Sequence, residues 1–295
     1  MKLGTRGSQL ARWQAEWVRD RLSARGVSAE IVIIATQGDA EVDRPLHELE
    51  GKGFFTKEIE DALLAGSIDV AVHSLKDLPT QLPDGLALAV VPERHDAREA
   101  LVSSGGGTRL ADLPPGARVG TSSLRRVTQV RYLRPDLEVV SLRGNVPTRV
   151  RKVLAGEGCD AALLALAGLE RLGLSERVAP IDPLEVMPAP GQGALGLEIR
   201  AGDAQTRDAL RPLADAASAQ AVAAERALLA ALGGGCQAPV AAWVAERRLF
   251  GRVTAPDGAV QHTASAKIDP ARPEAAGEAV ARLLEADGAA SLLAR

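Results

Sequence analysis

Asp69-Val70-Ala71-Val72-His73-Ser74-Leu75-Lys76-Asp77-Leu78-Pro79 is the stretch on which the reading of the fold turns. The apolar, β-branched run from Asp69 to Val72 predicts a short buried strand. Directly after it an ammonium and a carboxylate, Lys76 and Asp77, arrive at the strand's C-terminal edge, where open α/β sheets hold their ligands. Asp77 is therefore the first candidate for chemistry. The plainer alternative is a surface Lys-Asp pair in a turn closed by Pro79.

Upstream, Leu3 to Thr5 predicts a first strand, followed by a helix from Ser8 with Leu10, Trp13, Trp17 and Leu22 along one stripe. Arg6 and Ser8 then stand at a strand-to-helix turn suited to an anion, or Ser8 is only an N-cap and Arg6 is solvated. Glu30 to Thr36 reads as a second strand. The polar, Gly-bearing stretch from Gln37 to Gly53 reads as a functional lid, carrying Lys52 and leading through Phe55 to Lys57 at a new helix. Strands and helices alternate as in a parallel or mixed sheet.

Downstream, Leu86 to Val91 is a further strand, and Pro92 to Asp96 a polar exit from the first lobe. After Gly105-Gly106-Gly107 a second series begins. Arg118 to Ser123 gives a strand and helix start, with the helix running through Arg125 and Arg126 to Leu133. Glu138 to Ser141 gives a strand ending in Leu142-Arg143-Gly144-Asn145, before a helix with Pro147 in its first turn and Arg149 along it. Asp160 to Leu166 gives a buried strand, with Gly168 to Arg171 opening the next helical turn. Three times a strand ends and arginines follow. One such pair is ordinarily a solvated helix face; several at one sheet edge make a pocket for a polyanion, because guanidinium forks bind carboxylates bidentately. The segment Pro188 to Gly193 is able to return the chain to the first lobe. Asp215 is read as the cap of a long Ala/Leu helix to Leu232, with Cys236 just beyond Gly233-Gly234-Gly235. Strands at Val240–Val244 and Leu249–Val253 and a helix near Pro273–Leu284 suffice for a small α+β domain.

Composition narrows the function classes. The chain has 295 residues, 46% hydrophobic and 25% charged, with aromatics at 2%, so the core is built from Leu, Val, Ile and Ala. A net charge of -3 gives no general attraction to nucleic acid or anionic membrane. No apolar run is long enough to span a bilayer, and the N-terminus lacks a secretory h-region, so a cytoplasmic location is expected. Cys159 and Cys236 are expected to be unpaired. With four His and no Cys/His cluster, no metal site is expected.

Jointly these motifs resemble the porphobilinogen deaminase (hydroxymethylbilane synthase) family. The likeness is carried by Arg6-Gly7-Ser8-Gln9-Leu10-Ala11, Gly51-Lys52-Gly53, HSLKDLP (His73 to Pro79), GTSSLRR (Gly120 to Arg126) and SLRGNVPTR (Ser141 to Arg149). It continues through LALAGLERLGL (Leu164 to Leu174), PAPGQGALGLE (Pro188 to Glu198) and GGGCQAP (Gly233 to Pro239). The order and spacing of these blocks along nearly the whole chain give the likeness its specificity.

The resemblance implies an α/β fold with two lobes like those of type II periplasmic binding proteins, the chain crossing between them twice, plus a small C-terminal α+β domain. The expected divisions are 1–93 with 194–213, 98–189, and 216–295. It further implies a dipyrromethane cofactor joined to Cys236 by a thioether, and stepwise addition of four porphobilinogen molecules with loss of ammonia before hydroxymethylbilane is released. By the same resemblance Asp77 is catalytic, and Lys76, Thr121, Ser123, Arg125, Arg126, Arg143 and Gly144 bind the cofactor. Arg6, Ser8, Arg149, Arg171 and Gln192 bind substrate, and Lys52, Phe55 and Lys57 belong to the lid. Gln37 and Glu48 depart from the family's usual lid residues. A monomer is expected, with neither nucleic acid nor membrane as partner. The rival reading is a two-lobed solute-binding module for a small polyanion.

Overall fold

The structure, a computed structural model, describes residues 1–36, 56–235 and 238–293. The expectations placed on Gln37, Glu48, Lys52, Phe55 and Cys236 lie outside the described residues.

The first lobe is a five-stranded sheet. β1 (Lys2–Arg6) enters α1 (Gln9–Ser23), and β2 (Glu30–Ile34) pairs parallel to β1. α2 (Lys57–Leu64) leads to β3 (Val70–Ser74), and β4 (Leu86–Val90) closes the edge. The second lobe contains β5 (Glu99–Ser103), β6 (Arg118–Gly120), α3 (Leu124–Leu133), β7 (Glu138–Val140), α4 (Val146–Leu154), β8 (Ala161–Ala165), α5 (Leu166–Arg171) and β9 (Val178–Pro180). The chain then returns as β10 (Leu195–Arg200) and α6 (Ala204–Leu210).

Strand order is β2-β1-β3-β10-β4 in the first sheet and β7-β6-β8-β5-β9 in the second. In each sheet the strand contributed across the hinge is the antiparallel one. β10 runs against β3 and β4, and β5 against β8 and β9. This is the two-lobed, twice-crossed architecture of the periplasmic-binding-protein class. The parallel strands of both lobes end at edges that carry the polar motifs.

α7 (Ala216–Ala231), β11 (Val240–Ala245), β12 (Arg248–Thr254), β13 (Gln261–Lys267), α8 (Pro273–Ala286) and α9 (Ala290–Leu293) form the third unit. Its core joins Ala224 and Leu228 of α7, Val240 and Ala242 of β11, Leu249 and Val253 of β12, and Val280 and Leu284 of α8. The helices pack closely because Gly277 lacks a side chain; a Cβ there would lie 2.5 Å from the Ala224 carbonyl oxygen. Among the described residues no helix is long and apolar enough to cross a membrane.

Several elements differ from the sequence reading. β5, β9 and β13 were not expected. β5 has only Ala100, Leu101 and Val102 between polar ends, too short to show a period, and its partners come from distant sequence. α5 begins at Leu166, two residues before Gly168, because the strand before it ends at Ala165. On α1 the buried face is Ala11, Gln14, Ala15, Val18 and Leu22, whereas Trp13 and Trp17 are half-buried. The indoles stay at the margin because cations cover them. The Arg21 guanidinium lies 3.5 Å from the Trp17 ring centre and that of Arg171 5.6 Å from Trp13.

Both crossings converge on α7. Arg94, in the first crossing, donates from both terminal nitrogens to the Glu225 carboxylate at 2.8 and 3.0 Å, and Gly191 N, in the second, donates to it at 2.7 Å. Arg94 also donates from Nε to the Gln192 carbonyl at 2.8 Å. Glu225 is fully buried. Replacing Arg94 by Met should therefore lower unfolding free energy by about 3–5 kcal/mol, since it strands a buried charge; urea denaturation of the two proteins measures the loss.

Candidate active site

The Asp77 turn is built from its backbone outward. β3 stops at Ser74, and Leu75–Asp77 form a single 3₁₀ turn ahead of Leu78-Pro79. Leu75 N donates to the Ala194 carbonyl at 3.0 Å, so the turn hangs on the start of β10. Gln14 Nε2 of α1 donates to Ser74 Oγ at 2.8 Å. From α7, Arg226 donates to the Leu78 and Pro79 carbonyls at 2.9 and 2.6 Å. Asp77 itself is half-buried.

Lys76 donates from Nζ to Gln192 Oε1 at 3.3 Å, while Gln192 Nε2 donates to the Ala97 and Arg98 carbonyls at 2.9 and 3.3 Å. Gln192 is fully buried, so one amide ties both crossings to the residue before Asp77. Burial, and next the Arg126 cation, push the Lys76 ammonium down to about 8.

In the second lobe, β6 is followed by Thr121, whose buried Oγ1 accepts from Ser123 N at 3.3 Å. Ser123 is the N-cap of α3 and makes no side-chain capping bond. Arg125 and Arg126 follow, both buried, and both meet a residue that the sequence reading missed. Arg125 donates to Glu99 Oε1 at 2.6 Å; Arg126 donates to Oε1 at 3.1 Å and Oε2 at 2.7 Å. Arg125 also reaches the Met187 carbonyl, and Arg126 that of Leu163. These guanidiniums thus have an internal counter-ion. The signal was available: adjacent arginines at a helix start entering a packed lobe require a carboxylate, and Glu99 leads a buried strand. Burial alone would raise the Glu99 carboxyl, but Arg126 and Arg125 hold it down to about 2.

The β7 loop supplies Arg143 and Gly144. Gly144 has φ +113°, and a Cβ there would lie 2.8 Å from Thr148 Cγ2. Asn145 caps α4 by accepting from Thr148 N at 3.0 Å. Arg149 Nε donates to the Gly144 carbonyl at 2.6 Å. Its guanidinium is lowered to about 10 by burial, then by Arg126 and Arg143, with Asp77 acting in the opposite sense. The charges of both lobes therefore meet: Asp77 and Lys76 from the first act on Arg149 and Arg126 of the second.

The remaining candidates lie on other elements. Ser8 caps α1, its Oγ accepting from Ala11 N at 3.2 Å, and Arg6 is half-buried just before it. Arg171 is buried, donates to the Gly193 carbonyl at 2.8 Å and covers Trp13, so it fastens the second crossing against α1. Lys57 is exposed at the first position of α2. Cys159 is fully buried among Leu142, Val153 and Leu164, where burial raises its thiol.

The family profile described as porphobilinogen deaminase, dipyromethane cofactor binding domain, matches residues 1–208, and that of the C-terminal domain matches residues 219–286. The chain belongs to the porphobilinogen deaminase family. A porphobilinogen deaminase of Syntrophotalea carbinolica is 51% identical over 303 positions, covering 100% of this chain and 95% of the relative. One of Bordetella parapertussis is 50% identical over 301 positions, with 100% and 95% covered. Among solved structures, a periplasmic substrate-binding protein of an ABC transporter from Coxiella burnetii is 15% identical with a TM-score of 0.46, covering 77% of this chain and 96% of that one.

The Glu99 geometry carries a pH signature. Its folded-state value of about 2 lies below the ordinary 4.5. The stability it contributes is complete above the unfolded value and is lost as pH falls from there through the folded value. Glu99→Gln should lower the thermal midpoint at neutral pH and flatten its fall on the acid side; thermal melts across acidic pH test this.

Proposed function

We propose that this member of the porphobilinogen deaminase family uses the site around Asp77 to join four porphobilinogen molecules head to tail on a dipyrromethane primer, losing ammonia at each addition, and then to release hydroxymethylbilane by hydrolysis. It is a transferase of tetrapyrrole biosynthesis. The observation that carries the site assignment is the crowding of cations around one carboxylate. Lys76 and Arg149 are each lowered by burial and then by neighbouring cations, with Asp77 opposing the shift at both and Glu99 also at Lys76.

Such a surplus of positive charge fits a polyanionic group. Lys76 and Arg143 would hold the acidic side chains of the dipyrromethane, with Thr121 and Ser123 as neutral donors. Arg125 and Arg126, already matched by Glu99, would act through their remaining field. When bound, the dipyrromethane supplies the free pyrrole position that each addition extends. Cys236, directly after α7, is assigned as its attachment point by a thioether.

Asp77 has the central chemical role. Loss of ammonia from porphobilinogen leaves an electrophilic carbon and places positive charge on the pyrrole nitrogen, which a fixed carboxylate stabilises. The same carboxylate is placed to take up and return protons. Arg6, Ser8, Arg149, Arg171 and Gln192 are assigned to the incoming substrate, Arg171 and Gln192 by fixing the crossing beside it, and Lys57 to the lid. The divisions 1–93 with 194–213, 98–189 and 216–295 then correspond to catalytic, carboxylate-binding and cofactor-presenting units. The enzyme is read as a cytoplasmic monomer. Relatives named porphobilinogen deaminase match the full chain, third unit included, which favours this reading over a solute-binding module.

The intact mass of the purified protein should exceed the sequence mass by one dipyrromethane, mapped to Cys236, and porphobilinogen should add pyrrole-sized increments. Asp77→Asn should keep the modification when preformed hydroxymethylbilane supplies the primer, yet lose nearly all turnover. An unmodified mass under all these conditions would leave only the fold. Arg143→Lys should stall elongation at intermediate lengths, because a point charge does not replace a guanidinium fork; the distribution of mass increments reads this out.

A further inference from the structure

Behind the Asp77 turn, three titratable side chains meet inside the first lobe. Residues alternate across β3. Val70 and Val72 pack with the α1 side of the sheet, while Ala71 packs with Ile59 and Leu63 of α2. His73 accordingly points to the α2 face. In the β3–β10 register His73 faces Gly196 and Ala71 faces Glu198, so His73 and Glu198 are diagonal neighbours. His73 Nε2 donates to Glu198 Oε2 at 2.9 Å, with both side chains buried. Glu60 of α2, also buried, completes the group. Among the described residues, neither Glu60 Oε1 nor Glu198 Oε1 has a hydrogen-bond partner.

We propose that His73, Glu198 and Glu60 are positioning residues that brace the end of β3 and thereby fix the Asp77 turn. His73 and Ser74 hold the strand end from opposite faces, through Glu198 and Gln14 respectively. The turn begins at the next residue. Two buried carboxylates cannot both be ionised against one imidazole at small cost, so one proton stays within the group. Glu60 is the carboxyl pushed toward its neutral form. Burial raises the Glu60 carboxyl, and the charge of Glu198 raises it further, against opposing contributions from Thr56 and from His73; Asp61 on its own helix adds to the rise. Folding thus favours the neutral acid at Glu60. By linkage, the stability this arrangement confers is complete below the unfolded value and is lost as pH rises through the folded value.

This inference rests on Asp77 being the catalytic carboxylate, so Asp77→Asn is measured alongside. The test takes holo-protein of verified mass and measures kcat and KM for porphobilinogen, together with thermal midpoints, from acid to alkaline pH. Glu198→Gln should lower kcat about ten-fold, a barrier change of about 1.4 kcal/mol, with KM changed less than about two-fold. His73→Gln, which keeps a donor toward Glu198, should retain more turnover than His73→Leu. Glu60→Gln, unable to ionise, should flatten the fall in kcat and in thermal midpoint that the parent shows as pH rises above the ordinary carboxylate value of 4.5.

If Glu198→Gln and His73→Leu lower the midpoint yet leave kcat at the parent value, the group is only structural and the proposal fails. It fails equally if the Glu60→Gln profile superimposes on the parent's. Should Glu198→Gln not fold, the two His73 variants and Glu60→Gln decide alone. Full turnover by Asp77→Asn would instead overturn the catalytic reading of Asp77, whatever the brace variants do.

Discussion

The buried carboxylate of Glu225 is the constraint on which the arrangement of the three units depends. It accepts from Arg94 in one crossing and from Gly191 in the other, while standing on the long helix of the third unit. A buried charge is tolerated only where donors surround it. The demand for those donors draws both crossings to one point. Both crossings are thereby fastened to one helix of the third unit. Lys76 is bonded to Gln192, the neighbour of Gly191, so the Asp77 turn is fastened beside the second crossing.

Charge is distributed by the same rule of compensation. Glu99 neutralises much of the Arg125 and Arg126 pair inside the second lobe, which leaves Lys76 and Arg149 among cations that lower them both. Other arginines serve as cross-links. Arg134 donates to the Leu110, Ala111 and Leu113 carbonyls, Arg200 to those of Leu63 and Ile68, and Arg252 to those of Leu184 and Glu185. In a chain with 2% aromatic residues, guanidinium bonds to loop carbonyls satisfy backbone groups that would otherwise be buried without partners. The arginine content therefore has a structural share, and residue type alone did not separate it from the ligand-binding share.

What was legible in the sequence follows from range. Helices with local signals were read closely: Asp215 accepts from Ser218 N as the cap of α7, and α3 spans Leu124–Leu133 as expected. The αβ alternation, both crossings and the basic edge of the second lobe were also visible, because each is encoded by neighbours in sequence. The strands β5 and β9 were not, since they are defined by pairing with distant segments; β13 pairs with its neighbour β12, but its polar run Gln261–Lys267 lacks an apolar alternation to mark it. Glu99, 26 residues from Arg125, was missed although the adjacent arginines signalled a carboxylate, because the strand that carries it was itself not read. The tryptophans of α1 misled because amphipathic rings rest at a surface under cations as readily as in a core.

A site that is used repeatedly on a lengthening chain needs one element that does not shift as the rest accommodates growth. The Asp77 turn has that character. Gln14 holds Ser74 from α1, Ala194 accepts from Leu75 N, Gln192 takes the Lys76 ammonium, and Arg226 fixes the carbonyls of Leu78 and Pro79. These ties come from the first sheet, the second crossing and the third unit. Each costs ordering entropy, and a carboxylate on a freely moving loop would need none of them. Their convergence on the residues flanking Asp77 is accounted for if preorganisation of that one carboxylate, present before charge develops, is what the surrounding fold supplies.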